Sequence, residues 1–145
     1  MSTLRIAFIP GLIAGVISVF TCWFWMGLVF HRYQRETPET WRPEGRRSYI
    51  IASLLHILAA IGIACLFTLV VRFKVGIFAV GLQGSIYFAI CIWGALALPI
   101  LLESATFIRL NRFVVIGQLL DWLTTSALAC IIIWWWMGKW PPAAA

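Results

Sequence analysis

Two side chains of the sequence could do acid–base or binding chemistry in surroundings that are otherwise apolar. Asp121 interrupts one run of apolar residues, and His56 interrupts another. An ionised carboxylate near the middle of a membrane helix costs about 3 kcal/mol on insertion scales, so it normally faces the protein interior or a wet cavity. A carboxylate and an imidazole that meet there could relay a proton or hold a polar ligand.

The residues at helical spacing from each side chain predict that the two are partners. Mostly small or polar residues share the face of Asp121: Gly117, Gln118, Thr124, Thr125 and Leu128. Mostly small residues share the face of His56: Ala52, Ala59, Ala60 and Ile63. We expect these two faces to meet and His56 to donate a hydrogen bond to Asp121.

Two interpretations of this pair stay open. A structural hydrogen bond would only fix the register of two helices, and such bonds average about 0.6 kcal/mol in membranes. A functional pair would be a proton relay or a polar ligand site that is approached through a vestibule. The charged and polar residues before the Asp121 run are the candidates for that vestibule: Glu103, Arg109, Asn111 and Arg112.

Metal and haem sites find little support in the ligand spacing. The cysteines fall one to each apolar run without a CxxC motif: Cys22, Cys65, Cys91 and Cys130. Converted at the helical rise of about 1.5 Å per residue, their depths in the membrane differ, so the four cysteines cannot all bind one ion. Cys65 and Cys130 share a depth and could form a thiol pair, but we interpret all four as small packing residues. His31 and His56 differ in depth by about 10 Å, which serves a single haem poorly. We therefore predict no metal and no cofactor.

The sequence contains no catalytic signature. It has no Gly-rich phosphate loop, no nucleophile elbow, no HExxH motif and no carboxylate pair at a shared site. An enzyme is therefore disfavoured, and an enzyme that acts on lipids ranks third among the functions considered.

Four apolar runs must position these side chains, at about residues 6–30, 49–71, 76–102 and 113–137. Of the 145 residues, 63% are hydrophobic and 11% are charged, against about 45–50% and about 25% in a soluble domain. Each run exceeds the roughly 20 residues that cross a bilayer, and in lipid the backbone must pair within helices or a closed barrel. The sequence predicts an all-α fold: one transmembrane domain over residues 1–145, an integral membrane four-helix bundle with a loop at about residues 31–48.

Proline and tryptophan positions refine these helices. Pro99 lies near the end of the third run and is expected to kink or end that helix. A cluster at the end of the fourth run is expected to anchor it at the membrane interface: Trp134, Trp135, Trp136 and Trp140. Four others lie deeper, and we expect them to pack inside the bundle: Trp23, Trp25, Trp93 and Trp122.

Weak internal similarity suggests a repeat. Shifted by 65 positions, the window of residues 53–65 has five identities in thirteen positions, and His56 falls on Asp121. At a shift of 70 positions, Trp23 falls on Trp93. A repeat of this kind predicts two helical hairpins related by a pseudo-twofold axis along the membrane normal, which puts His56 and Asp121 at equal depth.

Small residues indicate close packing of helices. Gly11 and Gly15 form a GxxxG pattern in the first run. Gly81 and Gly84 lack side chains and so reduce the width of the third helix. The pattern serves packing within the bundle and packing between protomers equally well, and both alternatives stay open. Because four helices make a small bundle, we expect an oligomer.

Basic residues flank the apolar runs, so the net charge of +6 predicts contact with acidic lipid headgroups and not with nucleic acid. The side of the first and third loops carries seven of them: Arg32, Arg35, Arg42, Arg46, Arg47, Arg109 and Arg112. The opposite side carries four: Arg5, Arg72, Lys74 and Lys139. This excess favours a long loop in the cytoplasm and both termini on the outer side.

Several stretches resemble a bacterial family of small four-helix membrane proteins of the domain-of-unknown-function type. They are residues 11–15, residues 23–30, Pro99 and the start of the last helix at residues 107–117. Family members carry a glycine- and alanine-rich first helix that ends in a Trp-Tyr-x-Pro-Leu-Phe-Gly-like motif. Here Phe24 or Trp25 stands near the usual Tyr, and the Pro is missing. The resemblance implies a multi-pass protein of the bacterial inner membrane, and it implies no activity, substrate or cofactor.

These observations leave two function classes. The first is a non-enzymatic accessory, assembly or oligomer-forming subunit of a membrane complex, whose partners are lipids, itself or other membrane subunits. The alternative is a small carrier or channel with His56 and Asp121 on its pathway. A water-filled cavity that reaches Asp121 would favour the alternative.

Overall fold

The computed structural model describes residues 3–41 and 45–139, and every regular element in this part of the chain is helical. The predicted all-α fold is confirmed. Four segments are long and apolar enough to cross a membrane, and we number them span 1 (Ile6–Val29), span 2 (Arg46–Arg72), span 3 (Gly81–Phe107) and span 4 (Arg112–Lys139). The chain is a multi-pass membrane protein.

Spans 1 and 3 change helix type along their length, whereas spans 2 and 4 are continuous α-helices. In chain order the elements are α1 (Thr3–Cys22), a π-helix (Trp23–Val29), α2 (His31–Gln34), a 3-10 turn (Pro38–Thr40), α3 (Arg46–Arg72), a 3-10 turn (Gly76–Ala79), α4 (Gly81–Ile92), a second π-helix (Trp93–Ala97), α5 (Leu98–Phe107) and α6 (Arg112–Lys139). π-Helical turns are rare in proteins, and those that occur are often found at functional sites.

Span 3 differs most from its predicted bounds of residues 76–102. Residues Gly76–Ala79 form a separate 3-10 turn, the helix begins only at Gly81, and it continues to Phe107. Gly76 and Gly81 have φ angles of +49° and +56°, which glycine adopts without strain. These two glycines turn the chain before the helix begins, and apolar composition alone does not reveal such a turn.

Pro99 does not end span 3, which excludes one of the two predicted outcomes, a kink or an end. It is the second residue of α5, directly after the π-helix Trp93–Ala97, and the helix continues to Phe107. Proline lacks an N–H group and clashes with the carbonyl four residues earlier. Here that carbonyl belongs to Ala95, inside the π-helix. Because the π-helical turn is wider, it accommodates both effects, and the helix changes type instead of ending.

Span 4 lies at the centre of the bundle. It contacts each of the other three spans and contributes the largest set of buried residues. Span 1 packs along span 2 and against span 4, whereas span 3 packs mainly on span 4. Spans 2 and 3 leave an apolar cleft of about 430 Å³ between them, with Trp122 and Ser126 of span 4 in its lining. The fold is thus a close group of three helices with a fourth attached to its central member.

The GxxxG pattern of span 1 is used inside the bundle. A Cβ atom on Gly11 would lie 2.8 Å from the Cα atom of Ile61, and one on Gly15 would lie 2.6 Å from the Cα atom of Ile57. Both distances are shorter than real Cβ contacts. Glycine at these two positions is therefore what lets the backbones of spans 1 and 2 approach each other.

The two glycines of span 3 serve a turn. The sequence predicted instead that they would let a neighbouring helix approach closely. Gly81 has no atom near the place where a Cβ would lie, and it serves the turn through its positive φ. A Cβ atom on Gly84 would lie 2.5 Å from the carbonyl oxygen of Phe78. Gly84 thus lets the preceding 3-10 turn fold against α4.

The first and third loops meet at one end of the bundle. The Thr40 hydroxyl donates to the carbonyl oxygen of Arg109 at 3.0 Å, and the Asn111 amide donates to the Glu36 carboxylate. The Asn111 side-chain oxygen accepts a hydrogen bond from the backbone N–H of Phe113 at 2.9 Å, which caps the start of α6. The spans therefore alternate in direction, as the predicted topology requires.

Two of the deeper tryptophans donate hydrogen bonds inside the bundle. Trp25 Nε1 donates to the Thr124 hydroxyl at 3.2 Å, and Trp93 Nε1 donates to the carbonyl oxygen of Leu119 at 2.9 Å. Trp23 is 61% exposed, so the prediction that it packs inside the bundle is wrong. It lies on the outer side of span 1, where a large ring can contact lipid.

The tryptophan cluster predicted at the interface lies at the end of span 4. Trp134, Trp135 and Trp136 fall in the last turns of α6, and Trp135 is 54% exposed. Trp140, and the loop cation Arg42 of the charge count, lie outside the described residues.

The two π-helices are alike in a way that the suggested repeat anticipates. They begin at Trp23 and Trp93, the residues that coincide at a shift of 70 positions. The packing does not follow the repeat. Span 1 contacts span 4 closely, whereas spans 3 and 2, the equivalent pair, meet through the rings of Phe67 and Phe88 and leave the apolar cleft elsewhere between them. The two hairpins are therefore alike in helix type and different in how they pack.

Candidate intramembrane ligand site

Asp121 and His56 meet in the interior of the bundle, as the sequence predicts. Asp121 lies nine residues after the start of α6, and His56 lies ten residues after the start of α3. At about 1.5 Å per residue, both lie about 14–15 Å from the end of the bundle that carries the first and third loops. The His56 Nε2 atom is 2.9 Å from Asp121 Oδ2, and Asp121 is only 3% exposed.

The imidazole of His56 is held by three neighbours. Its Nδ1 atom is 3.2 Å from the carbonyl oxygen of Ala52, which can only accept a hydrogen bond, so Nδ1 carries the hydrogen. The Nε2 atom faces Asp121. The ring of Trp122 stacks on the imidazole with 5.3 Å between centroids and 20° between planes, so this tryptophan has an interior partner as predicted. The three contacts orient the Nε2 atom toward Asp121.

Two buried oxygen atoms beside this pair have no hydrogen-bond partner among the described residues. They are Asp121 Oδ1 and Thr125 Oγ1, one helical turn further along α6. A buried polar atom without a partner costs about 1–3 kcal/mol, and more when it is charged. The site therefore offers acceptor atoms that the protein itself leaves unused.

Cys22 completes the cluster, and the sequence interpretation missed its role. Its Sγ atom, an imidazole nitrogen of His56 and a carboxylate oxygen of Asp121 all lie within 4.8 Å of one another. The depth of Cys22 in the membrane could have indicated this role. Cys22 lies about 12 Å from the loop end of its helix, close to the depth of His56. Comparing cysteines only with other cysteines hides this match.

The cluster lies at the junction of three spans because span 4 turns its small-residue face toward span 1 as well as span 2. A Cβ atom on Gly117 would lie 2.7 Å from the ring of Phe30 and 3.1 Å from Met26 Sδ. This close packing brings the end of α1, where Cys22 lies, toward Asp121. One donor thus comes from each of spans 1, 2 and 4.

A cavity of about 210 Å³ between spans 1 and 2 reaches the cluster. Cys22 and His56 line it, together with residues nearer the loop end of the bundle such as His31, Gln34 and Tyr49. A water molecule needs about 10–15 Å³ of such volume, so the cavity admits several. Cys22 and His56 therefore face a cavity that extends to the side of the first and third loops, whereas Asp121 lies behind His56 and does not line it.

The residues predicted for a vestibule do not line this cavity. Glu103, Arg109 and Arg112 are exposed and do not line this cavity, and neither does Asn111. Glu103 remains on a helix because span 3 continues to Phe107, and the short connection after it is tied to the first loop. Gln118, also predicted for the site, is half-buried and does not line the cavity either.

A thiol, an imidazole and a carboxylate can bind a cation or a polar solute. A Cys–His nucleophile needs a ring nitrogen that is free to take the proton of the thiol, and the Cys22 thiol does lie against the imidazole of His56. Here Nε2 is paired with Asp121 and Nδ1 with Ala52. The geometry favours binding over bond-breaking chemistry.

Comparison with known proteins adds no relative. No protein-family model matches the sequence, no curated protein is similar to it at a significant level, and no solved structure matches the fold. The resemblance to the four-helix family of unknown function therefore stays a prediction, and the site has to be interpreted from its own geometry.

Proposed function

We propose that this protein is a small membrane carrier that takes a small cation from the side of the first and third loops and holds it at the cluster of Cys22, His56 and Asp121. One observation carries the proposal. Asp121 is 3% exposed and keeps an unpartnered oxygen, and its partner His56 lines a cavity that reaches the loop side. Buried acidic groups in membrane spans are typical of ion and solute pathways.

A purely structural hydrogen bond fits the energies less well. Interhelical hydrogen bonds in membranes average about 0.6 kcal/mol. Placing a carboxylate at this depth costs about 3 kcal/mol, and the unpaired Oδ1 atom of Asp121 means that hydrogen bonds to the protein offset this cost on one side only. A pair retained only for helix register would be a net loss, whereas a ligand that binds the free oxygen supplies a reason for the carboxylate.

A carrier is favoured over an open channel because the buried core that follows on α6 is mostly apolar. Ala129, Cys130 and Ile133 follow on α6 toward the opposite end, and each is 0% exposed. The cavity ends at the cluster, so a bound solute can cross only if the helices rearrange. The π-helix of span 1 begins next to Cys22, and this irregular segment is a suitable place for such a change.

Access to the site tests the first part of the proposal. In a chain with Cys65, Cys91 and Cys130 changed to Ala, a small water-soluble thiol reagent should modify Cys22 from the side of the first and third loops only. The control is a chain that keeps only Cys130, which is fully buried and should not react. A Cys22 that resists the reagent from both sides would contradict the open cavity.

Uptake into vesicles tests the carrier itself. Vesicles that contain the full chain are offered chloride salts of alkali, alkaline-earth and transition-metal cations, and uptake is compared with that of Asp121→Asn. At least one cation should enter faster with the wild-type chain. Equal uptake by the two proteins for every cation would reject the carrier.

An accessory or oligomer-forming subunit is the second candidate. The observation that favours it is the cleft between spans 2 and 3, which meet through Phe67 and Phe88 but do not approach each other along their length as spans 1 and 4 do. Native mass spectrometry in a mild detergent should then detect an oligomer or a co-purified subunit. A monomer alone would argue against this candidate and would leave the carrier untouched.

A further inference from the structure

We infer that the cation held by Cys22, His56 and Asp121 is a divalent transition metal of the zinc class. This inference rests on the proposed function and names its ligand. A thiolate, an imidazole and a carboxylate together suit a borderline cation, whereas magnesium and calcium prefer oxygen ligands alone. Among the described residues these three form the cluster with a spacing suited to a metal ion.

The spacing of the donor atoms is close to that of a tetrahedral site. Bond lengths of about 2.3 Å to sulfur and about 2.0–2.2 Å to nitrogen or oxygen put neighbouring ligand atoms about 3.3–3.6 Å apart. The three donors lie within 4.8 Å of one another, and the His56 and Asp121 atoms are 2.9 Å apart. Small side-chain rotations that part this pair and bring the thiol closer would give the tetrahedral spacing.

The surroundings of His56 are those of a metal ligand. Metal-binding histidines commonly donate their second ring N–H to a carbonyl or carboxylate, which fixes the other nitrogen as the ligand atom. The Nδ1 atom of His56 is 3.2 Å from the carbonyl oxygen of Ala52, so Nε2 is the atom left for the metal. The stacked ring of Trp122 holds the imidazole plane.

An independent observation also points to a ligand at this position. Asp121 is only 3% exposed, and its buried Oδ1 atom has no hydrogen-bond partner among the described residues. A divalent cation bound at the carboxylate in place of the proton beside His56 could use this unpaired oxygen as well as Oδ2. Its two positive charges would balance one thiolate and one carboxylate, so the loaded site would be neutral. Neutrality matters in a membrane, where an uncompensated charge is expensive.

The site has an open coordination position and a route for exchange. Three protein ligands leave a fourth position for water or a solute, which distinguishes exchangeable and catalytic zinc sites from closed structural ones. The cavity of about 210 Å³ that reaches Cys22 and His56 leads to that position. The proton of the thiol and the proton between His56 and Asp121 would leave by the same route when the metal binds.

Cobalt is the probe for this site. The purified full chain in a mild detergent is titrated with Co²⁺ alone, and we expect a thiolate-to-cobalt charge-transfer band in the near ultraviolet together with intense visible bands of tetrahedral cobalt. Added Zn²⁺ should displace both. Elemental analysis after dialysis against Zn²⁺ should find about one zinc per chain, as a single-site cluster of three ligands predicts.

Variants assign the ligands. Cys22→Ser should lose the charge-transfer band, and the matched controls Cys65→Ser and Cys91→Ser should keep it. His56→Gln and Asp121→Asn should weaken cobalt binding by at least the roughly 10–100-fold that loss of an outer partner of a ligand already costs. Circular dichroism shows which variants are folded. If the Cys22→Ser variant is not folded, alkylation of Cys22 in the folded wild-type chain replaces it as the test and must abolish the charge-transfer band.

The outcomes separate this inference from the proposed function. No charge-transfer band in the wild-type chain, or a band that survives in Cys22→Ser, would overturn the metal site. Uptake of an alkali cation that depends on Asp121, without cobalt binding, would overturn the metal site and leave the carrier standing. Cobalt binding at the three residues without uptake of any cation would support the metal site and reject transport.

Discussion

At the scale of single residues, the site depends on a carboxylate that lipid disfavours and that the protein pairs only on one side. Asp121 Oδ2 meets His56, whereas Oδ1 has no partner among the described residues. Groups that bind ligands are often kept at a cost to stability, because a site fully satisfied by the protein has nothing left to offer a ligand. Stability and binding should therefore respond in opposite directions when the pair is removed.

Replacing the pair with apolar residues tests this opposition. The double variant His56→Leu/Asp121→Leu should unfold at the wild-type temperature or higher, because buried ion pairs can be exchanged for apolar side chains with a gain of up to about 1–4 kcal/mol. The measurement is thermal unfolding of the full chain in detergent. The same variant should bind no Co²⁺.

The single variant Asp121→Leu is the control for the double one, since it leaves the imidazole of His56 without its carboxylate partner. It should be less stable than the double variant. If the double variant instead lost several kcal/mol, the pair would be a structural bond and the case for a ligand would weaken.

Sequence reasoning at this scale found the pair and missed the third donor. Equal depth and small-residue faces were enough to join His56 with Asp121, because both side chains are anomalous in lipid. Cys22 is not anomalous there, since a thiol is a common small apolar residue in membrane helices. Its place beside the pair depends on how closely span 1 approaches span 4, and no local pattern specifies that distance.

At the scale of helices, the approach of spans 1 and 2 limits where the donors can lie. Gly15 is the tightest point, with 2.6 Å between a Cβ built there and the Cα atom of Ile57. Ile57 is next to His56 in the sequence, so any separation of the two spans would displace the imidazole. Packing far from the ligand atoms thus determines the geometry of the cluster.

Adding one methyl group at Gly15 tests this dependence. Gly15→Ala should destabilise the protein by about 1–3 kcal/mol, because its Cβ meets backbone atoms that cannot move aside as a side chain would. It should also weaken Co²⁺ binding through the shift of span 2. Thermal unfolding and cobalt titration measure the two effects.

Gly62→Ala is the matched control in span 2. No atom lies within 4 Å of a Cβ built on Gly62, and the residue is on the outer face. Since alanine favours a helix over glycine by up to about 1 kcal/mol, this variant should be unchanged or slightly more stable. Equal losses in Gly15→Ala and Gly62→Ala would contradict the packing role of Gly15.

The helices themselves were largely predictable, and their irregularities were not. Length and apolar composition suffice for four spans, because lipid leaves the backbone few alternatives. The π-helix before Pro99 and the turn at Gly76 and Gly81 depend on local backbone conformations. Hydropathy does not record such conformations, so the bounds of span 3 differ from the prediction and the change of helix type before Pro99 was not anticipated.

At the scale of the whole molecule, the bundle is open toward one end and closed toward the other. Hydrogen bonds join the first and third loops at the open end. The cavity between spans 1 and 2 begins on this side, and the core residues Ala129, Cys130 and Ile133 beyond Asp121 are fully buried. The direction in which the protein sits in its membrane therefore decides from which compartment the ligand comes.

The distribution of basic residues predicts that the open end faces the cytoplasm. In a chain with its four natural cysteines changed to Ala, Arg109→Cys should react with an impermeant thiol reagent only when the cytoplasmic side is exposed. Lys74→Cys, in the second loop, should react only from the outer side. Both positions are exposed, so a difference between them reports sidedness and not burial. The reverse pattern would mean that the cluster draws its cation from outside the cell, and the carrier would then act in uptake.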